Sequence, residues 1–412
     1  MGNKNNNSNN NKINNNISFT LCPLISERKL LIEKKTTSNT ISCIDILNYN
    51  KKDYILLGFV YGKFEIVDSE NLELVAEENK EIKMNEYIRY VGQLLNNNFI
   101  IVTEDYIRIY VFYKDSDNTF NINLIQKIND NLNCRFSKGI IFDKNLYKEY
   151  DLFEVEEEKR KMRKINSSNY KEDEIDSYEE LIICSDSGIF VYKRNNLLEE
   201  EKSNSNNIDN DRENDKFDIF LHLEKWKINP YIFYKKITDL ENYDMIQVNF
   251  KYLAGTIKNY LSIYSLKTYE LVTKFNVKIS ENCDSVIFML TEDILCVAGD
   301  NTISLISIKN FEIILVTLIK PHYRITEICI LPDYNILIGM QNKSSIFEKY
   351  IEYFYQYKCF HKLNPIKKEM EYDILQVSSK LLTKNFSNIT MRCLNNNRLV
   401  TVIDLELIQI WE

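Results

Sequence analysis

The chain is written largely in short runs of Ile, Val, Leu, Tyr and Phe separated by Asn, Asp, Ser and Gly, with little helical periodicity. Such runs are the pattern of β-strands and turns. One strand type recurs: apolar, any residue, apolar, then a large or aromatic residue. Its copies are Phe64-Glu65-Ile66-Val67, Ile107-Arg108-Ile109-Tyr110, Ile189-Phe190-Val191-Tyr192, Leu261-Ser262-Ile263-Tyr264, Ile303-Ser304-Leu305-Ile306 and Ile408-Gln409-Ile410-Trp411, with a poorer copy around Ser345-Ile346-Phe347-Glu348-Lys349. Three of the intervals between copy ends, from Val67 to Tyr110, Tyr264 to Ile306 and Ile306 to Lys349, are 42 or 43 residues.

The intervals ending at Tyr192 and Tyr264 are longer, and each spans a polar run: Lys144 to Glu180, and Asn195 to Lys216. Read as insertions near 144–180 and 195–216, they account for about 39 and about 29 extra residues and restore one period, within the roughly 40 to 45 of a propeller blade. The last interval is long by about 19 residues on the same period, and the segment from His361 to Lys384 holds that excess.

Other strands fill out the unit. Strands read as ending in a glycine precede several copies, as in Tyr54-Ile55-Leu56-Leu57-Gly58, Tyr252-Leu253-Ala254-Gly255, Ile294 to Gly299 and Asn335 to Gly339; the glycine is read as permitting a tight turn into the next strand. Further strands come before these, such as Ile41 to Leu47 and Ile325 to Leu331, and after the copies, such as Leu72 to Val75 and Phe311 to Val316. Four antiparallel strands make one blade, so residues 17–412 predict an all-β, seven-bladed β-propeller. The last unit ends after its third strand at Glu412, whereas Ile17 to Leu21 and Lys29 to Glu33 are strand-like with no blade of their own. One of them is expected to supply the missing strand and close the ring, because an open blade edge is a liability.

On these residues the chain resembles the WD40-type β-propellers. The terminal Ile408-Gln409-Ile410-Trp411-Glu412 is similar to the Trp-Asp strand ending for which that family is named, and the period agrees. The other copies end in Val, Tyr, Ile or Lys, and no Gly-His pair precedes a blade. The resemblance implies a non-catalytic scaffold or adaptor whose partners are other proteins.

Composition narrows the picture. With 44% hydrophobic and 27% charged residues the 412-residue chain can build a core, whereas residues 3–16, almost all Asn, form a tail (1–16) expected to be disordered. A net charge of −8 gives no general attraction to phosphate backbones, so nucleic acid is not an expected partner. The nine cysteines are scattered and include no C-x-x-C pair, and Cys184 and Cys296 sit in apolar runs; reduced, buried thiols fit a cytoplasmic protein.

Candidate chemistry is sparse. His222, His322 and His361 stand alone, and no G-x-S-x-G elbow, glycine-rich phosphate loop or H-E-x-x-H occurs. No catalytic, cofactor-binding or metal-binding residue is therefore assigned, and no cofactor is expected. Ser185-Asp186 and Gly299-Asp300 are read as turns. The basic string Lys159 to Lys164 is flanked by the acidic Glu154 to Glu158, which cancels much of its field within a Debye length of about 8 to 10 Å. Met1-Gly2-Asn3-Lys4-Asn5-Asn6 has the shape of an N-myristoylation site, with Asn6 where Ser or Thr is preferred. Two alternatives thus stay open beside the scaffold: a membrane-recruited adaptor acylated at Gly2, and an enzyme with a pocket at the channel mouth. Mass spectrometry of the native N-terminus checks the acylation: a myristoylated Gly2 selects the membrane-recruited alternative, and a free or acetylated glycine excludes it.

Overall fold

The computed structural model describes residues 23–412 apart from 37–39, 79–81, 84–85, 95–97, 130–138, 144–178, 186–187, 195–229, 238–244, 249–250, 258, 278–284, 291–292, 320–322, 332–334, 343–350, 364–369 and 385–388. All regular structure among the described residues is β, and it forms seven four-stranded antiparallel sheets. Blade 1 is β2 (Ile41–Tyr49), β3 (Lys52–Phe59), β4 (Phe64–Asp68) and β5 (Leu74–Glu78); blade 2 is β6 (Ile88–Gln93), β7 (Asn98–Thr103), β8 (Ile107–Lys114) and β9 (Phe120–Ile128). Blade 3 is β10 (Gly139–Asp143), β11 (Glu179–Ser185), β12 (Gly188–Arg194) and β13 (Tyr231–Ile237); blade 4 is β14 (Met245–Val248), β15 (Tyr252–Ile257), β16 (Tyr260–Ser265) and β17 (Leu271–Asn276). Blade 5 is β18 (Ser285–Met289), β19 (Ile294–Gly299), β20 (Thr302–Ser307) and β21 (Glu312–Leu318); blade 6 is β22 (Tyr323–Ile330), β23 (Ile336–Asn342), β24 (Ile351–Leu363) and β25 (Met370–Lys384). Blade 7 joins β26 (Ile389–Cys393), β27 (Leu399–Ile403) and β28 (Leu407–Trp411) to β1 (Leu30–Lys35).

The second strand of each blade explains the hydrophobic runs. A strand between two other blades is buried on both faces, and successive side chains point to opposite sides. In β3, Tyr54 and Leu56 enter the cluster shared with blade 2, while Ile55 and Leu57 enter the cluster shared with blade 7. Seven such clusters occupy the seven interfaces between neighbouring blades. Outer strands such as β17 and β21 are instead largely exposed.

The ring closes as the sequence predicts, and the segment that does it is the later of the two candidates. β1 pairs antiparallel with β28, from Leu30↔Trp411 to Lys35↔Leu407. Lys29 and Glu412 exchange backbone hydrogen bonds of 3.0 Å, and Ile25 ahead of them is buried between blades 6 and 7.

Blade 6 departs from the expected spacing. Residues 345–349 lie outside the described residues; the strand that pairs with β23 is β24, in which Gln356 lies opposite Leu337. Elsewhere that slot holds Ile66, Ile109, Val191, Ile263, Leu305 or Ile410. A buried glutamine there conceals the repeat, because it breaks the apolar pattern while its carbonyl is used to accept the Ile25 amide at 2.7 Å. The excess length is strand: Lys358 to Leu363 pair only with Met370 to Leu375, in a ribbon extending past β23.

Three of the glycines do not turn the chain. Gly58, Gly255 and Gly339 lie within second strands, opposite Phe64, Ser262 and Phe354. At Gly58 a Cβ would come within 2.7 Å of both Cys43 Sγ and Ile88 Cγ2, so its small size serves close packing of blade 1 on blade 2. The turn after Gly299 is made by Asp300, at φ 55°. The last residues of the first charged run, Glu179 and Glu180, belong to β11, with Glu180 fully buried.

Truncation measures the closure. Removing residues 1–33 takes away Ile25 and most of β1 and is expected to lower the melting temperature well below that of a chain lacking residues 1–16; a buried Ile alone is worth about 2–5 kcal/mol when cut to Ala. Thermal unfolding followed by circular dichroism compares the two, and equal midpoints would refute the role of the segment.

Candidate functional site

The first strand of each blade faces the centre of the ring, and four of them bring titratable groups together. β2 contributes Cys43 and Asp45, β6 Tyr90, β22 Glu327 and Cys329, and β26 Arg392 and Cys393. Arg392 Nη1 donates to its neighbour's carbonyl, Met391 O, at 2.7 Å and meets Glu327 Oε1 at 3.4 Å. Burial works against the guanidinium charge, but Glu327 and Asp45 more than offset it, and Arg392 is held charged. Burial raises the Asp45 carboxyl above its ordinary range, with Arg392 acting in the opposite sense.

The thiols are pushed further. Burial raises both Cys43 and Cys329 to about 12. A thiolate is the nucleophile and metal ligand, so these groups stay in their unreactive form at neutral pH. Among the described residues no group of three His, Cys, Asp or Glu is arranged to hold a metal ion. The cluster is thus an ion pair set among protonated thiols. Sequence reasoning missed it because its members lie on four blades and share no motif; Cys184 and Cys296, the thiols expected in the core, are buried in other places, between blades 3 and 4 and between blades 5 and 6.

A second set of functional positions lies in the turns leading to outer strands. Leu72, Tyr269 and Phe311 all have positive φ, at 57°, 58° and 54°. Each packs its side chain into the interface with the preceding blade. All three stand in one short pattern, Ser or Asp, three residues, a large apolar residue and Glu, at 68–73, 265–270 and 307–312. That signal was available in the sequence but is hidden by the variety of the anchoring residue. The Tyr269 hydroxyl donates to the buried Glu180 Oε2 of blade 3 at 2.5 Å, and burial together with Glu180 raises its pKa.

Beside this anchor the rim of blades 3 and 4 is apolar and basic. Ile232, Phe233 and Tyr234 of β13 are 50%, 50% and 51% exposed, and Leu271 and Val272 of β17, the outer strand of the next blade, are exposed as well. Lys193 Nζ stands 3.4 Å from the Tyr234 ring centroid, Lys274 Nζ 4.6 Å from Tyr260 and Lys236 Nζ 5.1 Å from Phe190. Neither β13 nor β17 contains a carboxylate residue. Among the described residues no strand pairs with the outer edge of β13.

Several positions singled out in the sequence lie outside the described residues: Gly2 and the Asn-rich tail, the basic string Lys159 to Lys164, most of both polar insertions, His222 and His322. His361 is placed in β24 as backbone.

No protein-family model and no curated protein sequence matches the chain. Solved structures do. The β-propeller domain of Cps50 (Swd1) from Myceliophteria thermophila superposes with a TM-score of 0.52 at 10% identity, covering 93% of this chain and 99% of that one. BBS1N, solved in complex with ARL6DN, superposes with a TM-score of 0.50 at 9% identity, covering 93% of this chain and 96% of that one. The resemblance to WD40-type propellers therefore holds for the fold.

The raised thiols carry a pH signature. The unfolded chain releases these protons near 9.0 and the folded one near 12, so their contribution is intact below about pH 9 and is lost as pH rises through that window, where the unfolded state binds fewer protons. Urea unfolding at a series of pH values from 8 to 10.5 is expected to show falling stability, with a shallower fall in Cys329→Ala; an unchanged slope would show that the thiol is not held protonated.

Proposed function

We propose that the chain is a non-catalytic interaction scaffold, a subunit that docks other proteins through the rim of its blades. The observation that carries this reading is the apolar, lysine-bearing surface of β13 and β17, with Ile232, Phe233, Tyr234 and Leu271 about half exposed. Exposed apolar groups of this kind, carried on the outer strands of neighbouring blades, mark interaction surfaces. The outer edge of β13, with which no described strand pairs, adds the means of pairing with an extended partner segment, main chain supplying affinity and side chains specificity. Lys193 is paired with Glu180 at 3.7 Å, whereas Lys236 and Lys274, on strands that carry no carboxylate of their own, favour an acidic partner. A propeller of the same fold, BBS1N, has been solved in complex with ARL6DN, which supports the use of such a ring as a docking body.

The channel supports the non-catalytic part of the reading. Its thiols are held protonated and its Arg392 is engaged by Glu327, an arrangement suited to holding blades 6 and 7 in register and poorly suited to nucleophilic attack.

A second reading, recruitment of a cytoplasmic scaffold to a membrane, is favoured by the Met1-Gly2 sequence. A single acyl chain binds membranes marginally, with an association constant of about 10⁴ M⁻¹, so a basic surface would have to act with it.

Affinity purification with quantitative mass spectrometry separates the readings. The paired substitution Ile232→Asp with Phe233→Asp is expected to deplete a defined set of co-purifying proteins at least tenfold while the melting temperature holds, whereas Gly2→Ala leaves that set in place. An identical set with the rim substituted would overturn the docking role, and a shift of Gly2→Ala from membrane to soluble fractions would select the second reading.

A further inference from the structure

The seam where the closing segment lies against blades 6 and 7 holds positive charge with no counter-ion among the described residues. Arg28 is 2% exposed, and its Nη1 donates to Asn397 O at 2.8 Å. Its Nε and Nη2 are buried and meet no partner among the described residues. These two nitrogens form one edge of the planar guanidinium, the fork that matches two oxygens of an oxyanion. Lys380 Nζ donates to Arg28 O and lies 4.7 Å from the Trp411 ring centroid. Burial and the charge of Arg28 both lower the Lys380 pKa. A third buried donor in the same seam, Gln356 Nε2, also has no partner among the described residues.

Neighbouring groups hold the seam together without neutralising it. Ser26 N donates to Ser378 Oγ at 3.1 Å, and the Ser378 hydroxyl meets Ser26 Oγ at 2.8 Å. Glu27, next to Arg28 in the chain, turns outward and accepts from Leu24 N at 3.3 Å. Ser26, Glu27 and Lys29 are exposed, so the guanidinium lies one layer beneath solvent. Leaving buried N–H donors unmade is costly, more so on a charged group, and the cost rises when a second cation stands beside the first.

We propose that the Nε–Nη2 edge of Arg28 and the ammonium of Lys380 form a binding site for an oxyanion of the phosphate class, inorganic or carried on a monoester. Charge-assisted, bidentate hydrogen bonds to a guanidinium are the strong form of this contact. The site joins the closing segment, through Arg28, to blade 6, through Lys380, and to blade 7, through Asn397. Its ligand therefore stabilises the closed ring by mass action.

The test uses the full chain at constant ionic strength. Melting temperature is followed as chloride is exchanged for inorganic phosphate or, in a parallel series, for phenyl phosphate, and hydrogen exchange is read at residues 29–35. A saturable rise in melting temperature with phosphate, together with slower exchange in the closing strand, is expected. Lys380→Met keeps the aliphatic stem and is expected to weaken the apparent affinity at least tenfold; Arg28→Met is expected to abolish the response, and Lys274→Met, on the distant rim, to leave it unchanged. Should Arg28→Met fail to fold, Lys380→Met decides. Saturation by phenyl phosphate alone supports the site with a monoester as its ligand. A response no greater than that to chloride, or one equal in wild type and Lys380→Met, overturns the proposal; the first result is also what a carboxylate of this chain already seated on Arg28 would give.

Discussion

Each middle strand of this protein is buried on both faces, and that constraint governs the rest of the structure. Strand β3 sends alternate side chains into two different interfaces, so no blade has a core of its own. A blade is stable only between two others, and the condition can be met for all seven only by closing the ring. The pairing of β1 with β28 is therefore the contact on which every interface depends. Without it the sheet edge at β28 is open, and the clusters on either side of blade 7 lose their outer wall.

Closure is reinforced by polar contacts that cross between blades. Asp53 of blade 1 accepts from the backbone and side chain of Asn395 in blade 7, at 2.8 and 2.7 Å, and from Asn48 Nδ2 at 3.0 Å. Asn48 and Gln93 then exchange hydrogen bonds between blades 1 and 2. The turn anchors Leu72, Tyr269 and Phe311 do the same work with apolar side chains, each accepting a left-handed backbone in order to reach the preceding blade. Such a conformation costs energy for a residue other than Gly, and the buried side chain offsets it. Ile25 has the equivalent place ahead of β1, packed between blades 6 and 7, so the N-terminal segment supplies an anchor as well as a strand.

What was legible in the sequence followed from local patterning. Strand type, the period near 43 residues and the spare strand at Lys29 to Glu33 are all consequences of side chains alternating along single strands, and those can be read one segment at a time. Blade 6 escaped because Gln356 occupies an apolar slot for a reason supplied by Ile25, more than three hundred residues earlier in the chain. Gly58 was misread for a similar reason: its small size answers to Cys43 and Ile88 of neighbouring strands, not to a turn.

The candidate sites were not legible at all. Arg392 is engaged by Glu327 and Asp45 from two other blades, and Arg28 meets Asn397 and Lys380 only when the ring is closed. By itself the sequence determined the all-β class, the number of repeats and the need for an N-terminal strand to complete the last one, because burial on both faces is written into alternating positions. The tertiary structure alone decided which charges face one another, which thiols are held protonated and which donors find no partner among the described residues. Those properties depend on distance and dielectric between segments that the sequence places far apart.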